Sequence, residues 1–276
     1  YSTGVMFYLS YGERTKEKDF IKAILRKYDI NVLIGAGIYV NNNPYNFQML
    51  LYLNFSIDTS EFEDWITIHY PDKKRRFNYF IGDIVESIKS KGYNIATFID
   101  EKTVDLIIVS GTNEIFLFPE RGDFDQLWNN DILKRELNVF LSHSSKDKKF
   151  VDSIFNELQL REIRAWYDKY EIQPGDSIVD KINEGLSKSD IGIICISKNF
   201  LNSPSGWTKS ELNYFIQKRM RSGETNFICL NFDVDHDDLP PLVQDYRYID
   251  MTDSNGMITL VDTLKKKIHE HHKGNL

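Results

Sequence analysis

The chain has 276 residues, 41% of them hydrophobic and 27% charged, with a formal net charge of -7. That length and apolar content suffice for two modest domains, each burying its own core. The acidic balance excludes a protein that grips nucleic acid or an anionic membrane through bulk charge, and no apolar run approaches the roughly 18 residues that cross a bilayer.

The first 130 residues read as a mixed domain rich in aromatics. "VMFYLSYG" has the pattern of a strand, "KEKDFIKAILRKY" that of a helix and "FQMLLYLNFSI" is a long apolar run. "IGAGIYV" at 34–40 offers two glycines of a dinucleotide fingerprint but neither the third nor a following helix, so it reads as a turn. Lys73, Lys74, Arg75 and Arg76 precede "RRFNYFIGDIVESIKSKG", read as a helix, where cations oppose the helix dipole. Two readings stand there, a solvated turn and an anion or nucleotide site. "DLIIVSG" and "EIFLFP" read as further strands, and "ERGDFDQLWNND" is the expected join between the two halves of the chain. The expected organisation is an α/β or α+β domain over residues 1–130 and a second domain over residues 135–276. The chain starts at Tyr1 rather than Met, which leaves its native start open, and shows no signal-peptide pattern; with so few cysteines it is expected to be cytoplasmic.

After that join the pattern becomes regular. "LNVFLS", "IRAWYD", "IGIICIS", "FICLNF" and "YRYID" are short apolar runs separated by helical patterns, the signature of βαβ units and a parallel sheet. Their near-continuous apolarity suits strands covered on both faces. In the helix predicted over 146–160, Phe150, Ile154 and Leu158 recur every four residues beside Val151 and Phe155, giving one apolar stripe. The next helix opens at Ser177 with Asp180 three residues on, an N-cap pattern, and carries Ile178, Ile182 and Leu186 as its stripe. The last is predicted to end near His269. Cys195 and Cys229 sit inside apolar runs and read as reduced core thiols. "DVDHDD" at 233–238 lacks the glycine and final glutamate of a calcium loop. The terminal "HEHHK" lacks cysteine partners, and no metal site is expected.

In a doubly wound domain ligands bind beyond the carboxyl ends of the strands. Three polar turns occupy that edge: "SHSSKD", "DKYEIQPGDS" and "SKNFLNSPSGW", the last leading into "WTKSEL" with Trp207 and Glu211.

"VFLSHSSKDKKFVDSIFNEL", "WYDKYEIQPGDSIVDKINEGLSKSDIGIICISKNFLNS" and "WTKSEL", in this order and spacing, resemble a bacterial TIR (Toll/interleukin-1 receptor) domain. The resemblance runs from about Leu137 to the last helix, roughly half the chain, and implies a flavodoxin-like α/β fold. It implies an NAD glycohydrolase that releases nicotinamide and ADP-ribose or a cyclic ADP-ribose isomer, with Glu211 of the Trp-x-x-x-Glu pair as catalytic carboxylate. NAD is then the substrate, and no cofactor is expected. The same resemblance assigns Ser142, His143, Ser144, Asp168, Gly175 and Trp207 to substrate binding. It assigns Tyr170, Glu171, Ile172, Pro174, Gly175, Asp176 and Ser177 to a loop through which TIR domains self-associate into a homo-oligomer. Neither membrane nor nucleic acid is expected as a partner, and the front domain would sense an unidentified trigger or drive assembly.

The residues themselves leave alternatives open. Asp168 suits a turn as well as a ribose contact, Trp207 suits core packing as well as a pocket wall, and a glutamate near a helix start is often only a solvated acid. His143 reads as a loop donor rather than an acid or base, because nicotinamide leaves as a neutral molecule and needs no protonation. What such a site must stabilise is positive charge developing on the ribose, which one carboxylate can do. The competing function is a non-catalytic TIR scaffold acting through TIR–TIR contacts alone.

Overall fold

A computed structural model describes residues 2–43, 45–91, 94–96, 101–108, 114–116, 138–167, 171–172, 183–185, 187–202, 213, 216–217, 219–221 and 227–273. The chain divides into two compact units, Tyr1–Lys134 with Gln159–Glu162, and Arg135–Leu158 with Ile163–Leu276.

The first unit contains β1 (Thr3–Leu9), α1 (Lys18–Lys27), β2 (Leu33–Asn43), β3 (Asn46–Phe55), α2 (Ser60–His69), α3 (Ile81–Lys91), β4 (Asn94–Ala96), α4 (Glu101–Ile107) and β5 (Glu114–Phe116). Its sheet runs β1-β3-β2-β5-β4, antiparallel except for the β4–β5 pair. The interior strand β3 explains why both faces are covered. Successive side chains alternate across a strand, so Met49, Leu51, Leu53 and Phe55 pack with Phe7, Phe20 of α1 and Phe62 of α2. Leu50 and Tyr52 pack on the other face with Met6, Tyr39 and Ile81, Ile84 and Val85 of α3.

Three expectations for this unit are corrected. "IGAGIYV" is the body of β2, paired with β3 as far as Asn43↔Asn46, and its glycine at 35 accompanies a register shift between Leu33 and Gly35. A glycine inside a strand commonly marks such an irregularity. Asp105, Leu106 and Ile107 of "DLIIVSG" belong to α4, and Val104 and Ile108 are buried in the first-face core. Only Lys74 of the four residues is exposed, and the basic run does not open a helix. It runs along β1, with a bridge between Phe7 and Arg75 and backbone bonds from Tyr8 N to Lys74 O (2.9 Å) and Arg76 N to Met6 O (2.7 Å). The other three charges are answered within the unit. Lys73 pairs with the buried Glu17, Arg75 lies 3.5 Å from Glu63, and the Arg76 guanidinium sits 5.3 Å from the Tyr79 ring centre.

The second unit contains β6 (Asn138–Ser144), α5 (Lys148–Leu160), β7 (Arg164–Trp166), β8 (Glu171–Ile172), β9 (Ile191–Ile196), α6 (Lys198–Leu201), β10 (Phe227–Asn231), α7 (Pro241–Tyr246), β11 (Ile249–Asp250) and α8 (Gly256–Lys273). The strands form a parallel sheet in the order β11-β10-β9-β6-β7, and β8 pairs with the end of β6. This is the flavodoxin-like order. Every residue of β9 and β10 is buried, which is why the sequence shows them as unbroken apolar runs.

Of the α5 stripe, Val151, Ile154, Phe155 and Leu158 are buried, whereas Phe150 is 58% exposed, its ring 5.8 Å from Phe232. At a 100° step per residue Phe150 stands about 40° from Ile154 but about 100° from Val151, which puts it at the margin of the buried face. Ser177, Ile178, Asp180, Ile182 and Leu186 of the second predicted helix lie outside the described residues. Cys195 and Cys229 are free and buried. Burial pushes the Cys229 thiol up to about 12 and raises that of Cys195 as well, with the Asp147 carboxylate adding to the effect. Such thiols are inert at neutral pH. Among the described residues no cluster of three or more His, Cys, Asp or Glu could hold a metal ion, and no helix is long and apolar enough to cross a membrane.

Gly256 opens α8 where the chain turns back on β11. A Cβ there would stand 2.5 Å from the Asp250 carbonyl oxygen and 3.1 Å from Met251 Cα, both backbone atoms that cannot swing away. Gly256→Ala is expected to cost about 2 kcal/mol, read as a fall in Tm of roughly 4–8 °C. An unchanged Tm would show that the turn has room.

Candidate functional site at the carboxyl edge of the parallel sheet

In the order β11-β10-β9-β6-β7 the chain winds from β6 to β7 on one side and then to β9 on the other. The direction of winding reverses between β6 and β9, and the crevice beyond their carboxyl ends is where such sheets receive ligands. The β6–β9 ladder stops at Ser142↔Ile194. β6 itself runs two residues further, with His143 paired to Glu171 and Ser144 to Ile172 of β8. Ser142, His143 and Ser144 therefore end a strand rather than occupy a loop, which corrects the expectation from the sequence.

All three are buried, His143 completely. Its ring lies 5.9 Å from that of Tyr167. Tyr167 in turn is 4.9 Å from Phe155 and has the Lys148 ammonium 5.8 Å from its centre. The imidazole is thus an interior group beside an aromatic pair. Ser142 Oγ is buried and has no hydrogen-bond partner among the described residues. Buried hydroxyls are ordinarily hydrogen-bonded, which makes Ser142 Oγ a candidate polar contact.

Beyond the strand ends a polar network joins the turns, and local sequence pattern held no sign of it. Asp147, in a single 3-10 turn between β6 and α5, is buried. It accepts a hydrogen bond from Ser197 Oγ and another from Asn199 Nδ2 at 2.6 Å. Ser197 caps α6, accepting from Phe200 N at 2.9 Å. From the far side Lys198 N donates to Asp233 Oδ1 at 2.7 Å. Asn231, at the end of β10, clasps its own turn by accepting from Val234 N (3.0 Å) and donating to Val234 O (2.7 Å). "DVDHDD" is therefore a structured turn whose first aspartate fixes α6. The signal for Asp147 was present only as the last letter of "SHSSKD", because its partners stand 50 and 52 positions away.

Of the other residues singled out, Glu171 and Ile172 are placed as the backbone of β8 against His143 and Ser144. Asp168, Tyr170, Pro174, Gly175, Asp176, Ser177, Trp207 and Glu211 lie outside the described residues. What is described is the end of β6, where two buried hydroxyls and a buried imidazole follow one another at the switch point of the sheet.

Comparison with known proteins agrees with this geometry. The model of the TIR domain family matches residues 139–263. The chain is 30% identical over 165 residues to a probable 2' cyclic ADP-D-ribose synthase, TcpO, of Methanobrevibacter olleyae, a match covering 58% of this chain and 44% of that protein. It is 36% identical over 87 residues to the 2' cyclic ADP-D-ribose synthase BtTIR of Bacteroides thetaiotaomicron, covering 31% and 30%. Over 94 residues it is 36% identical to the NAD(+) hydrolase TcpC of Escherichia coli, covering 32% and 30%. The chain thus spans less than half the length of each of these three relatives.

Proposed function

On the premise that residues 139–263 are a TIR domain, we propose that this protein is an NAD glycohydrolase that breaks the bond between nicotinamide and ribose and yields ADP-ribose or a cyclic isomer of it. One observation carries the reading. Relatives of this chain bear the names NAD(+) hydrolase and 2' cyclic ADP-D-ribose synthase, and this chain has the Trp207-x-x-x-Glu211 pair. The flavodoxin-like sheet supports it, because sheets of this order receive ligands at the switch point, here between β6 and β9.

In this mechanism Glu211 supplies the negative charge that stabilises the oxocarbenium-like ribose as nicotinamide departs. Trp207 and Asp168 flank the substrate, and the ends of β6 and β8 receive its polar groups. The loop from Tyr170 to Ser177 brings TIR domains together, and self-association raises activity. Residues 1–130 respond to a trigger or organise that assembly. The inert buried thiols suit a reducing, cytoplasmic setting.

The test is chromatography of NAD incubated with the purified chain at high protein concentration. Nicotinamide release is expected, with the second product separating hydrolysis from cyclisation. Intact NAD after incubation of concentrated, tethered protein would sink the reading.

A further inference from the structure

The buried carboxylate of Asp147 is not one of the residues that the cleavage chemistry uses, yet it sits where the two halves of the proposed site begin. On one side it closes the turn that follows Ser142, His143 and Ser144. On the other it holds Ser197 and Asn199, at the start of the segment that leads on to Trp207 and Glu211. No backbone ladder spans this gap, because β6 and β9 stop pairing at Ser142↔Ile194. Beyond that point, among the described residues, the bonds to Asp147 join the β6 turn to the β9 turn. The second turn is rigid in its own right. Ser197 caps Phe200 N, Asp233 accepts from Lys198 N, and Phe200 is buried in the core. A fixed post on the β9 side and a single carboxylate reaching it from the β6 side set the separation of the two turns.

We infer that Asp147 is a positioning residue for substrate, setting the width of the switch-point crevice by locking the β6–α5 turn to the β9–α6 turn through Ser197 and Asn199. This rests on the NAD-cleaving reading of the same crevice. A carboxylate suits the task better than an amide. It presents two acceptor oxygens, one to each partner, and charge-assisted bonds of this kind are shorter and stronger than neutral ones. An asparagine would keep one acceptor oxygen and so part of the lock.

The test is steady-state NAD cleavage by the wild type, Asp147→Asn, Asp147→Ala and Asn199→Ala, at a temperature where each is folded by circular dichroism. A displaced substrate-binding edge raises KM. Asp147→Ala is expected to raise it on the order of tenfold or more, with Asp147→Asn between it and the wild type and Asn199→Ala showing a smaller rise. A purely structural carboxylate would instead lower the folded fraction, reducing the maximal rate and leaving KM unmoved. Wild-type KM in folded Asp147→Ala overturns the inference and leaves the hydrolase reading intact. If Asp147→Ala does not fold, wild-type KM in Asn199→Ala overturns it in the same way. A wild type that releases no nicotinamide overturns both, and so the two failures are told apart.

Discussion

NAD cleavage by the Glu211→Ala variant is expected to fall about a thousandfold, with Tm unchanged. The magnitude comes from charge. A carboxylate about 4 Å from the cationic ribose of the transition state, at an effective dielectric near 20, stabilises it by about 4 kcal/mol, and each 1.36 kcal/mol is tenfold in rate. Because the leaving nicotinamide is neutral, no second group acts as an acid to share that burden. Glu211→Gln separates two roles for the side chain. It preserves size and hydrogen bonding but removes charge, so electrostatic stabilisation predicts a loss close to that of alanine. Near-normal rates for the glutamine variant would mean that Glu211 holds ribose hydroxyls instead. Near-normal rates for the alanine variant would return it to the status of a surface acid.

Phe140→Ala is expected to be the most destabilising single change in the second unit, at about 3–5 kcal/mol. Phe140 lies fully buried in the middle of β6, packed with Ile194, Ile196 and Phe227. Its ring also meets Gly185, where a Cβ would stand 2.8 Å from two ring carbons and 3.0 Å from a third. Gly185→Ala alone should therefore cost about 1–3 kcal/mol, because the ring is held on its other sides and has nowhere to go. In the Phe140→Ala background the same methyl would enter the space the ring has left, and its cost should vanish. Urea denaturation of the four proteins gives the cycle. Additive losses would mean that the methyl at 185 strains something other than Phe140.

The sequence disclosed the elements whose environment is uniform. β9 and β10 are buried on both faces and read as unbroken apolar runs, and their spacing with helices between them was enough for a parallel sheet. Elements whose environment changes along their length were misread. β2 carries glycines within a paired strand, and local pattern alone assigned them to a turn. The first letters of "DLIIVSG" close α4, a helix of seven residues too short to show its period, with Leu106 exposed and Ile108 buried just after it. Phe150 satisfies the spacing of four but lies at the margin of the buried stripe and is exposed. The basic run looked solvated because its acids, Glu17 and Glu63, are distant in sequence. For the site, "SHSSKD" marked the right edge of the sheet. Asp147 stayed hidden for the same reason as the acids, since a carboxylate is a solvated turn former until its partners, Ser197 and Asn199, are brought to it.

The pairing of β6 with β9 bears on how the chain is made. In the first unit, β2 and β3 join through a tight hairpin whose last pair is Asn43↔Asn46, a closure that short loops complete in microseconds. In the second, Asn138 N reaches Asp190 Oδ2 across 52 positions, and a parallel neighbour of that kind exacts the loop entropy before any contact rewards it. During synthesis from the amino end, β1, β2 and β3 can assemble while β6 has emerged but β9 has not. Until β9 arrives, the ribosome-bound chain carries an apolar strand without its central neighbour. That interval is when premature pairing between nascent copies is most costly to the cell.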